Sequence, residues 1–191
     1  NLVHSVGYTN ASLYEAKKHA LLHPQTVCFA PVSGMHHAQP ERGSGFCTFS
    51  GQVISAIKLY EEFGASGAYF DLDGHFGNSI EDSRWFNPVI NLAIPQGCNV
   101  NPTGTNESYV ESFQKGLAHV GALIKAGKIH YVVFAHGADS HEDDDIGGGG
   151  RGGRHDGAAD APSASADPAV GRLRHRPCGA AHLPRRGRLL V

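Results

Sequence analysis

The sequence predicts a three-layer αβα protein of the α/β class, in which helices cover both faces of a mainly parallel sheet. Two observations support this prediction. Short apolar runs of strand length alternate with longer amphipathic stretches through the first 135 residues, which is the α/β pattern. Polar residues also follow directly after two of the apolar runs, and open parallel sheets bind ligands beyond the carboxyl ends of their strands.

The first predicted elements are two helices with a strand between them. Residues 11–22 (ASLYEAKKHALL) predict a helix, and residues 26–30 (TVCFA) predict a strand that leads into a glycine-rich loop. The next helix is predicted at residues 51–63, because Val53 and Ile57 fall near the 3.6-residue spacing of a buried helix face.

The second half of the predicted fold contains three strands and one helix. The helix is predicted at residues 106–126, with Asn106 as its N-cap and Gly127 at its end. The strands are predicted at residues 67–73 (GAYFDLD), 88–94 (PVINLAI) and 129–135 (IHYVVFA).

Composition divides the chain at residue 146. Residues 1–146 carry eight basic and fifteen acidic side chains (net −7), whereas residues 147–191 carry eight basic and three acidic ones (net +5). The second segment consists mainly of Gly, Ala, Arg and Pro and has no Phe, Tyr, Trp, Ile or Lys, so it cannot build a core. We therefore predict a folded domain at 1–146 and a low-complexity tail at 147–191.

Two origins for this tail remain open at the level of sequence. It resembles a GC-rich gene translated in the wrong frame, which suggests a frameshift near codon 146, and it also fits a natural disordered segment. Arginine–glycine segments can bind RNA, but this one has no interleaved aromatic residue. We therefore expect no nucleic-acid partner.

Several features predict a cytoplasmic protein without a membrane partner. No apolar stretch approaches the roughly 20 residues that span a bilayer, and the N-terminus lacks the features of a signal peptide. The cysteines are widely spaced and form no CxxC pair, so we expect reduced thiols; they are Cys28, Cys47, Cys98 and Cys178. The chain begins with Asn1 rather than Met, so we expect a preceding segment to be missing, and the sequence leaves the oligomeric state open.

Polar side chains follow a buried strand in the segment FDLDGHFGNS, residues 70–79. Asp71, Asp73 and His75 are spaced at i, i+2 and i+4, which in an extended chain directs three side chains to one face. Converging carboxylates are costly unless their charge is compensated, and a metal ion would compensate it. Asp139 follows the strand at 129–135, at the same edge of the predicted sheet.

The DLDG motif alone permits a second interpretation. A strand followed by DLDG resembles the first motif of haloacid-dehalogenase-type phosphatases, in which Asp71 would be the nucleophile and magnesium the metal. Those enzymes usually carry a hydroxyl residue after the glycine, where this chain has His75.

Three motifs taken together support a metal-dependent hydrolase. GMHHA…GSGFC, then DLDGHFGN, then GADSHEDDD resemble, in order and separation, the zinc-dependent deacetylase family of histone deacetylases, acetylpolyamine amidohydrolases and acetoin-utilisation proteins. The resemblance covers roughly residues 1–146. It implies an arginase/deacetylase-like fold that is incomplete at both ends of the sheet. It also implies hydrolysis of an acyl amide, such as acetyl-lysine or an acetylpolyamine, by metal-activated water.

The resemblance assigns a role to each motif residue. The implied metal ligands are Asp73, His75 and Asp139. They would bind Zn²⁺, although mixed carboxylate and imidazole sites also accept Fe²⁺ or Mn²⁺. The implied catalytic residues are His37 as general base, His36 beside it, Asp71 orienting His36, and Asn78 where many relatives have a second aspartate. Gly45 and Phe46 match the stretch that lines the substrate tunnel.

This chain departs from the family at the oxyanion site. Family members carry a tyrosine after the third ligand, whereas no tyrosine follows Tyr131 here. Because losing one oxyanion donor costs about 10²–10³ in rate, we expect impaired activity. A catalytically dead fragment that binds only a metal or a partner is therefore an alternative. An arginase-type manganese hydrolase is ranked lower, because it requires more aspartate ligands than DLDGH supplies.

Overall fold

A computed structural model describes residues 1–141 and residue 144 of the chain. The predicted tail at 147–191 lies outside the described residues. The helices, in chain order, are α1 (Leu2–Leu22), α2 (Gly51–Phe63), α3 (Ser79–Ser83), α4 (Ile90–Ala93) and α5 (Asn106–Lys125), with a short 3₁₀ turn at Ala138–Ser140. The strands are β1 (Gly67–Asp71), β2 (Asn99–Val100) and β3 (Tyr131–Ala135).

The three strands form one sheet in the order β2-β1-β3. Both pairings are parallel, and β1 pairs with β3 from Gly67↔Tyr131 to Asp71↔Ala135. The central strand β1 is buried along its whole length. Parallel pairing brings the carboxyl ends of all three strands to one edge of the sheet, where the polar residues of the sequence follow β1 and β3.

Helices cover both faces of this sheet. On one face, Tyr69 of β1 contacts Lys17 of α1 and donates a hydrogen bond to the carbonyl oxygen of Gln52 in α2. On the opposite face, the ring of Phe70 packs edge-to-face against Phe113 of α5, with ring centroids 5.6 Å apart. This arrangement confirms the predicted three-layer αβα architecture with a parallel sheet.

The helix ends follow local capping chemistry. The Ser50 side chain accepts a hydrogen bond from Val53 at the start of α2, and Gly64 ends that helix with φ of 65°, which glycine adopts without steric cost. The bounds predicted for α2 are correct. At α5 the N-cap is Thr105, whose side chain accepts from Ser108, so the prediction that Asn106 caps the helix was wrong by one residue.

Two predicted strands do not exist as strands. Residues 88–94 contain helix α4, and the buried side chains Ile90, Ala93 and Ile94 follow the i, i+3, i+4 spacing of a helix face. Residues 26–30 pair with no strand among the described residues. The sequence analysis also missed the short strand β2 and the first nine residues of α1.

Two findings concern the predicted environment of the protein. Within residues 1–141, no helix has both the length and the apolar character needed to cross a bilayer. Cys28, Cys47 and Cys98 are free thiols.

Candidate active site

Strand β1 ends at Asp71, whose buried carboxylate contacts a histidine from a different loop. Only 5% of the Asp71 side chain is exposed, and its Oδ2 lies 2.9 Å from Nδ1 of His36. Because a carboxylate can only accept, Nδ1 of His36 donates this hydrogen bond. Asp71 therefore fixes the orientation of the His36 ring.

A tight turn after β1, rather than an extended strand, brings the next two polar side chains together. The backbone N–H of His75 donates to Oδ1 of Asp73 over 2.9 Å, and residues 73–75 form a bend. The expectation that Asp71, Asp73 and His75 share one face of an extended chain was therefore wrong. Asp71 instead contacts His36, while Asp73 and His75 face each other.

Asp139 joins Asp73 and His75 from the end of β3. Its Oδ2 lies 2.8 Å from Nδ1 of His75, and its Oδ1 accepts a hydrogen bond of 3.2 Å from the backbone N–H of Gly74. Each of the three residues offers one ligand atom, and these atoms lie within 4.8 Å of one another. The side chain of His75 is 43% exposed and that of Asp139 is 11% exposed, so one side of the cluster is open to solvent.

Two glycines make room for this cluster. A Cβ atom at Gly137 would lie 2.8 Å from Oδ1 of Asp139 and 3.2 Å from Oδ2 of Asp73. A Cβ atom at Gly74 would lie 2.7 Å from the backbone oxygen of Asp139. Two carboxylates and one imidazole in so small a space are a donor set that suits a divalent cation. These three residues therefore fit a metal ion.

The pKa values in this cluster reflect the crowding of two carboxylates. Burial raises the pKa of Asp73, and the neighbouring Asp139 raises it further, against the hydrogen bond from the His75 backbone. Burial also acts to raise the pKa of Asp139, but hydrogen bonds from Gly74, Asp73 and His75 outweigh it, and the pKa of Asp139 is lowered. One carboxylate therefore holds a proton more readily than its neighbour.

His36 and His37 lie side by side next to the cluster. Their ring centroids are 4.0 Å apart, and the ring of His37 is 6.3 Å from that of His75. Burial acts to lower the pKa of His36, but the hydrogen bond to Asp71 and the charges of Asp71 and Asp73 outweigh it, so the pKa of His36 is raised.

The loop that carries this histidine pair is held in place by three contacts. The backbone N–H of Ser79 donates to the carbonyl oxygen of His36 over 2.8 Å. Burial raises the pKa of the Cys47 thiol, although the backbone N–H groups of residues 36–38 act to lower it. A Cβ atom at Gly45 would lie 2.5 Å from Cδ2 of His37, so only glycine fits beside that ring.

His37 has an amide rather than a carboxylate as its partner. Nδ1 of His37 lies 3.0 Å from Oδ1 of Asn78. The Nδ2 atom of Asn78 in turn donates to Oδ2 of Asp82 in α3. The sequence analysis named Asn78 but missed Asp82, although its position one helical turn later was a usable signal.

The sequence analysis did not single out Gly77 or Asn101. A Cβ atom at Gly77 would overlap Oδ2 of Asp71 and lie 3.0 Å from Nδ1 of His36, and the Gly77 backbone N–H donates to Oδ1 of Asn101 over 2.9 Å. No pattern in one sequence indicates such a close approach.

Phe46, expected in a substrate tunnel, has φ of 61° and is 100% exposed, so residues 1–141 do not enclose its ring.

The histone deacetylase domain family matches residues 2–94, a range that includes the histidine pair, Asp73 and His75 but not Asp139. Histone deacetylase 8 of Xenopus laevis is 40% identical over 53 residues, which cover 28% of this chain and 16% of that protein. Acetoin utilization protein AcuC of Staphylococcus aureus strain MRSA252 is 40% identical over 139 residues, covering 59% of this chain and 35% of that protein. AcuC of Bacillus subtilis strain 168 is 26% identical over 87 residues, covering 45% of this chain and 22% of that protein.

The chain thus spans at most about a third of the length of these relatives. No solved structure gave a significant match.

Proposed function

With residues 2–94 belonging to the histone deacetylase domain family, we propose that the chain is part of a zinc-dependent hydrolase that removes an acetyl or other acyl group from an amide. One observation carries this proposal. Asp73, His75 and Asp139 offer ligand atoms within 4.8 Å of one another, beside a pair of histidines whose rings are 4.0 Å apart.

Asp73, His75 and Asp139 would hold the metal ion. Three protein ligands leave positions for water and substrate, as in other catalytic zinc sites. When bound, zinc acts as a Lewis acid toward a carbonyl oxygen and lowers the pKa of water to about 7. The exposed side of His75 faces solvent, which gives a substrate a route to the cluster.

His37 would act as the general base. It accepts the proton of the attacking water at Nε2 and later delivers that proton to the nitrogen of the leaving amine. The C–O bond forms first and gives a tetrahedral oxyanion, and the C–N bond then breaks. After the new carboxylic acid has passed its proton to the amine, the products are a carboxylate and an ammonium group. The carboxylates of Asp71 and Asp73 raise the pKa of His36, so His36 stays protonated up to a higher pH than an ordinary histidine. Its positive charge would stabilise the oxyanion that develops on the substrate.

The proposed substrates are acetyl-lysine and acetylpolyamines. Both present an acyl amide at the end of a methylene stem, and such a stem packs favourably on an apolar side chain. The exposed ring of Phe46 lies in the loop that carries His37. It would supply that apolar contact.

The phosphohydrolase alternative is disfavoured by the position of Asp71. Its side chain is 5% exposed and paired with His36, and its Oδ1 accepts a hydrogen bond from the backbone of Asp73. A nucleophile must reach its substrate, and Asp71 is enclosed by its own hydrogen bonds.

Metal binding without turnover is the second candidate function. No tyrosine follows Tyr131 in the sequence, and Tyr131 itself is fully buried in β3. The described residues therefore offer no tyrosine hydroxyl downstream of Asp139 to stabilise an oxyanion.

A zinc-reconstitution assay on the full chain tests the proposal. The chain is freed of metal with a chelator, reloaded with zinc, and supplied with a fluorogenic acetyl-lysine peptide and, separately, with a phosphate monoester. Zinc-dependent release of the fluorophore that is lost in His37→Ala supports a deacetylase. Stoichiometric zinc binding without release supports the second candidate. Phosphatase activity lost in Asp71→Asn would overturn both.

A further inference from the structure

A chain of hydrogen bonds runs from Asp82 through Asn78 to His37. The side-chain Nδ2 of Asn78 donates to Oδ2 of Asp82, and Oδ1 of Asn78 lies 3.0 Å from Nδ1 of His37. The backbone fixes the spacing of the first two residues, because the N–H of Asp82 donates to the carbonyl oxygen of Asn78 over 3.0 Å. Residues four apart in a helical turn lie on the same face.

The chemistry of these groups leaves only one arrangement of protons. The Asp82 carboxylate can only accept, so the Asn78 amide must turn its NH₂ group toward Asp82 and its oxygen toward His37. An amide oxygen also only accepts, so Nδ1 of His37 must carry a hydrogen. A neutral imidazole has a single N–H, and Nε2 therefore keeps its lone pair.

We infer that Asp82 is a positioning residue that holds neutral His37 in its Nδ1–H tautomer by fixing the orientation of the Asn78 amide. This inference deepens the proposed function and rests on it only where turnover is concerned. The tautomer itself is a property of the chain with or without substrate.

A comparison with His36 shows why His37 needs a third residue, Asp82, in addition to its partner Asn78. His36 is paired with the carboxylate of Asp71 at 2.9 Å, and either oxygen of a carboxylate accepts. An amide, by contrast, has a donor end and an acceptor end. If the Asn78 amide were reversed, its NH₂ group would donate to Nδ1 of His37 and force the hydrogen onto Nε2, which would remove the proton acceptor.

The test is ¹⁵N NMR of histidine-labelled full-length chain at a pH where His37 is neutral. The spectrum reports separately whether Nδ1 and Nε2 carry a hydrogen, and His37→Gln assigns the His37 signals among the 13 histidines. We expect the Nδ1–H tautomer in the wild-type chain. Asp82→Asn keeps the shape of the side chain but is no longer an acceptor only, so we expect a mixture of both tautomers.

An exchange of the two side chains provides the rescue. In Asn78→Asp/Asp82→Asn the carboxylate sits next to His37, where it accepts from Nδ1 whatever its orientation, and it also accepts from the new amide at position 82. The Nδ1–H tautomer should return. Glu81→Gln is the matched control, because Glu81 lies on the same short helix and pairs with Arg84 at 2.6 Å without contacting Asn78.

Turnover is a second measurement that separates this inference from the proposed function. Because general base catalysis needs a free Nε2, Asp82→Asn should lower kcat in proportion to the share of His37 that leaves the Nδ1–H tautomer, about 2-fold for an equal mixture, with little change in KM, and the exchange should restore it. A wild-type chain without turnover would refute the proposed function and leave the NMR result to decide the tautomer. An Asp82→Asn chain that keeps a pure Nδ1–H tautomer, or an exchange that fails to restore it, would overturn the role of Asp82.

Discussion

Nδ1 of His75 lies 2.8 Å from Oδ2 of Asp139, although the two residues are 64 positions apart in the chain. The sheet register explains this contact. Asp71 and Ala135 are paired at the ends of β1 and β3, and each of the two site residues lies four positions beyond its strand. Parallel pairing alone therefore brings the two loops to the same level, and local turns complete the cluster.

Removing one carboxylate from this cluster should weaken metal binding. Asp139→Asn keeps the side-chain shape but removes one negative charge and one ligand oxygen, so we expect zinc affinity to fall by at least about 10–100-fold, the loss typical of a change in a group that only supports a ligand. Isothermal titration calorimetry of the metal-free chain with zinc measures this directly.

Thermal unfolding gives an independent readout of the same change. A ligand at 100 times its Kd stabilises the folded state by about 2.7 kcal/mol, so zinc should raise the melting temperature of the wild-type chain much more than that of Asp139→Asn. Glu111→Gln is the control, since Glu111 is an exposed residue paired with Lys115. Equal zinc affinity in Asp139→Asn and the wild type would contradict the proposed metal site.

Gly77 should be intolerant of even one added methyl group. A Cβ atom there would overlap Oδ2 of Asp71 and crowd Nδ1 of His36, so Gly77→Ala should lower the free energy of unfolding by about 1–3 kcal/mol through overpacking. It should also separate His36 from Asp71. Urea unfolding measures the first effect, and the pKa of His36 by NMR should fall as Asp71 moves away.

Gly121→Ala is the matched control for Gly77→Ala. Gly121 lies within α5, and an added Cβ meets nothing within 4 Å. Alanine is favoured over glycine in a helix interior by about 1 kcal/mol, so this variant should become more stable. A Gly77→Ala chain as stable as the wild type would show that the space beside Asp71 is larger than described.

The sequence predicted the elements whose bounds depend on neighbouring residues and missed the elements that depend on contacts with distant parts of the chain. Helix α2 was predicted with its correct bounds because its cap and its apolar spacing are both local. Residues 88–94 were assigned to a strand because the run is apolar and contains three β-branched residues, although Ile90, Ala93 and Ile94 are spaced as in a helix. Residues 26–30 form a short apolar run of strand length, but a strand exists only where a second strand pairs with it.

The candidate site shows the same division. The motifs identified the residues, and the structure brings them together. The backbone turns and hydrogen bonds that do so differ from those expected. Asp73 and His75 meet through a bend, and Asp82, which the sequence analysis did not name, contacts His37 through the Asn78 amide. Side-chain contacts between distant loops are set by packing, which a single sequence does not reveal.

The buried amine of Lys17 should make stability depend on pH. Its side chain is 3% exposed, and Nζ donates to Oγ of Ser55 over 2.6 Å and to the hydroxyl of Tyr69. Burial away from water holds the pKa of Lys17 well below its usual value of 10.5. The folded chain therefore binds fewer protons than the unfolded chain between those two pKa values, and the free energy of unfolding rises with pH in that window.

Lys17→Met should remove this dependence. Lys17 contributes at most about 1.4 kcal/mol per pH unit to the slope of the free energy of unfolding against pH. Stability is lost as the pH falls toward the lowered pKa of Lys17. Urea unfolding of wild-type and variant chains at several pH values below 10 should therefore give a flatter curve for Lys17→Met and a larger free energy of unfolding at neutral pH. Lys18→Met is the control, because Lys18 is 34% exposed, and it should keep the wild-type slope. An unchanged slope in Lys17→Met would show that the amine is not buried in solution.

Alanine variants at Gly45 and Gly64 distinguish backbone strain from a clash with His37. Gly45 and Gly64 both have positive φ, of 49° and 65°, but an added Cβ would lie 2.5 Å from Cδ2 of His37 at Gly45 and meet nothing within 4 Å at Gly64. The left-handed conformation costs about 1–2 kcal/mol for a non-glycine residue, so both alanine variants should lose that much stability in urea unfolding. Only Gly45→Ala should also displace the His37 ring, which would appear as a change in the His37 signals in ¹⁵N NMR and as loss of the hydrogen bond to Asn78. If the two variants gave the same His37 spectrum, Gly45 would act on the backbone alone and the loop would not position the general base.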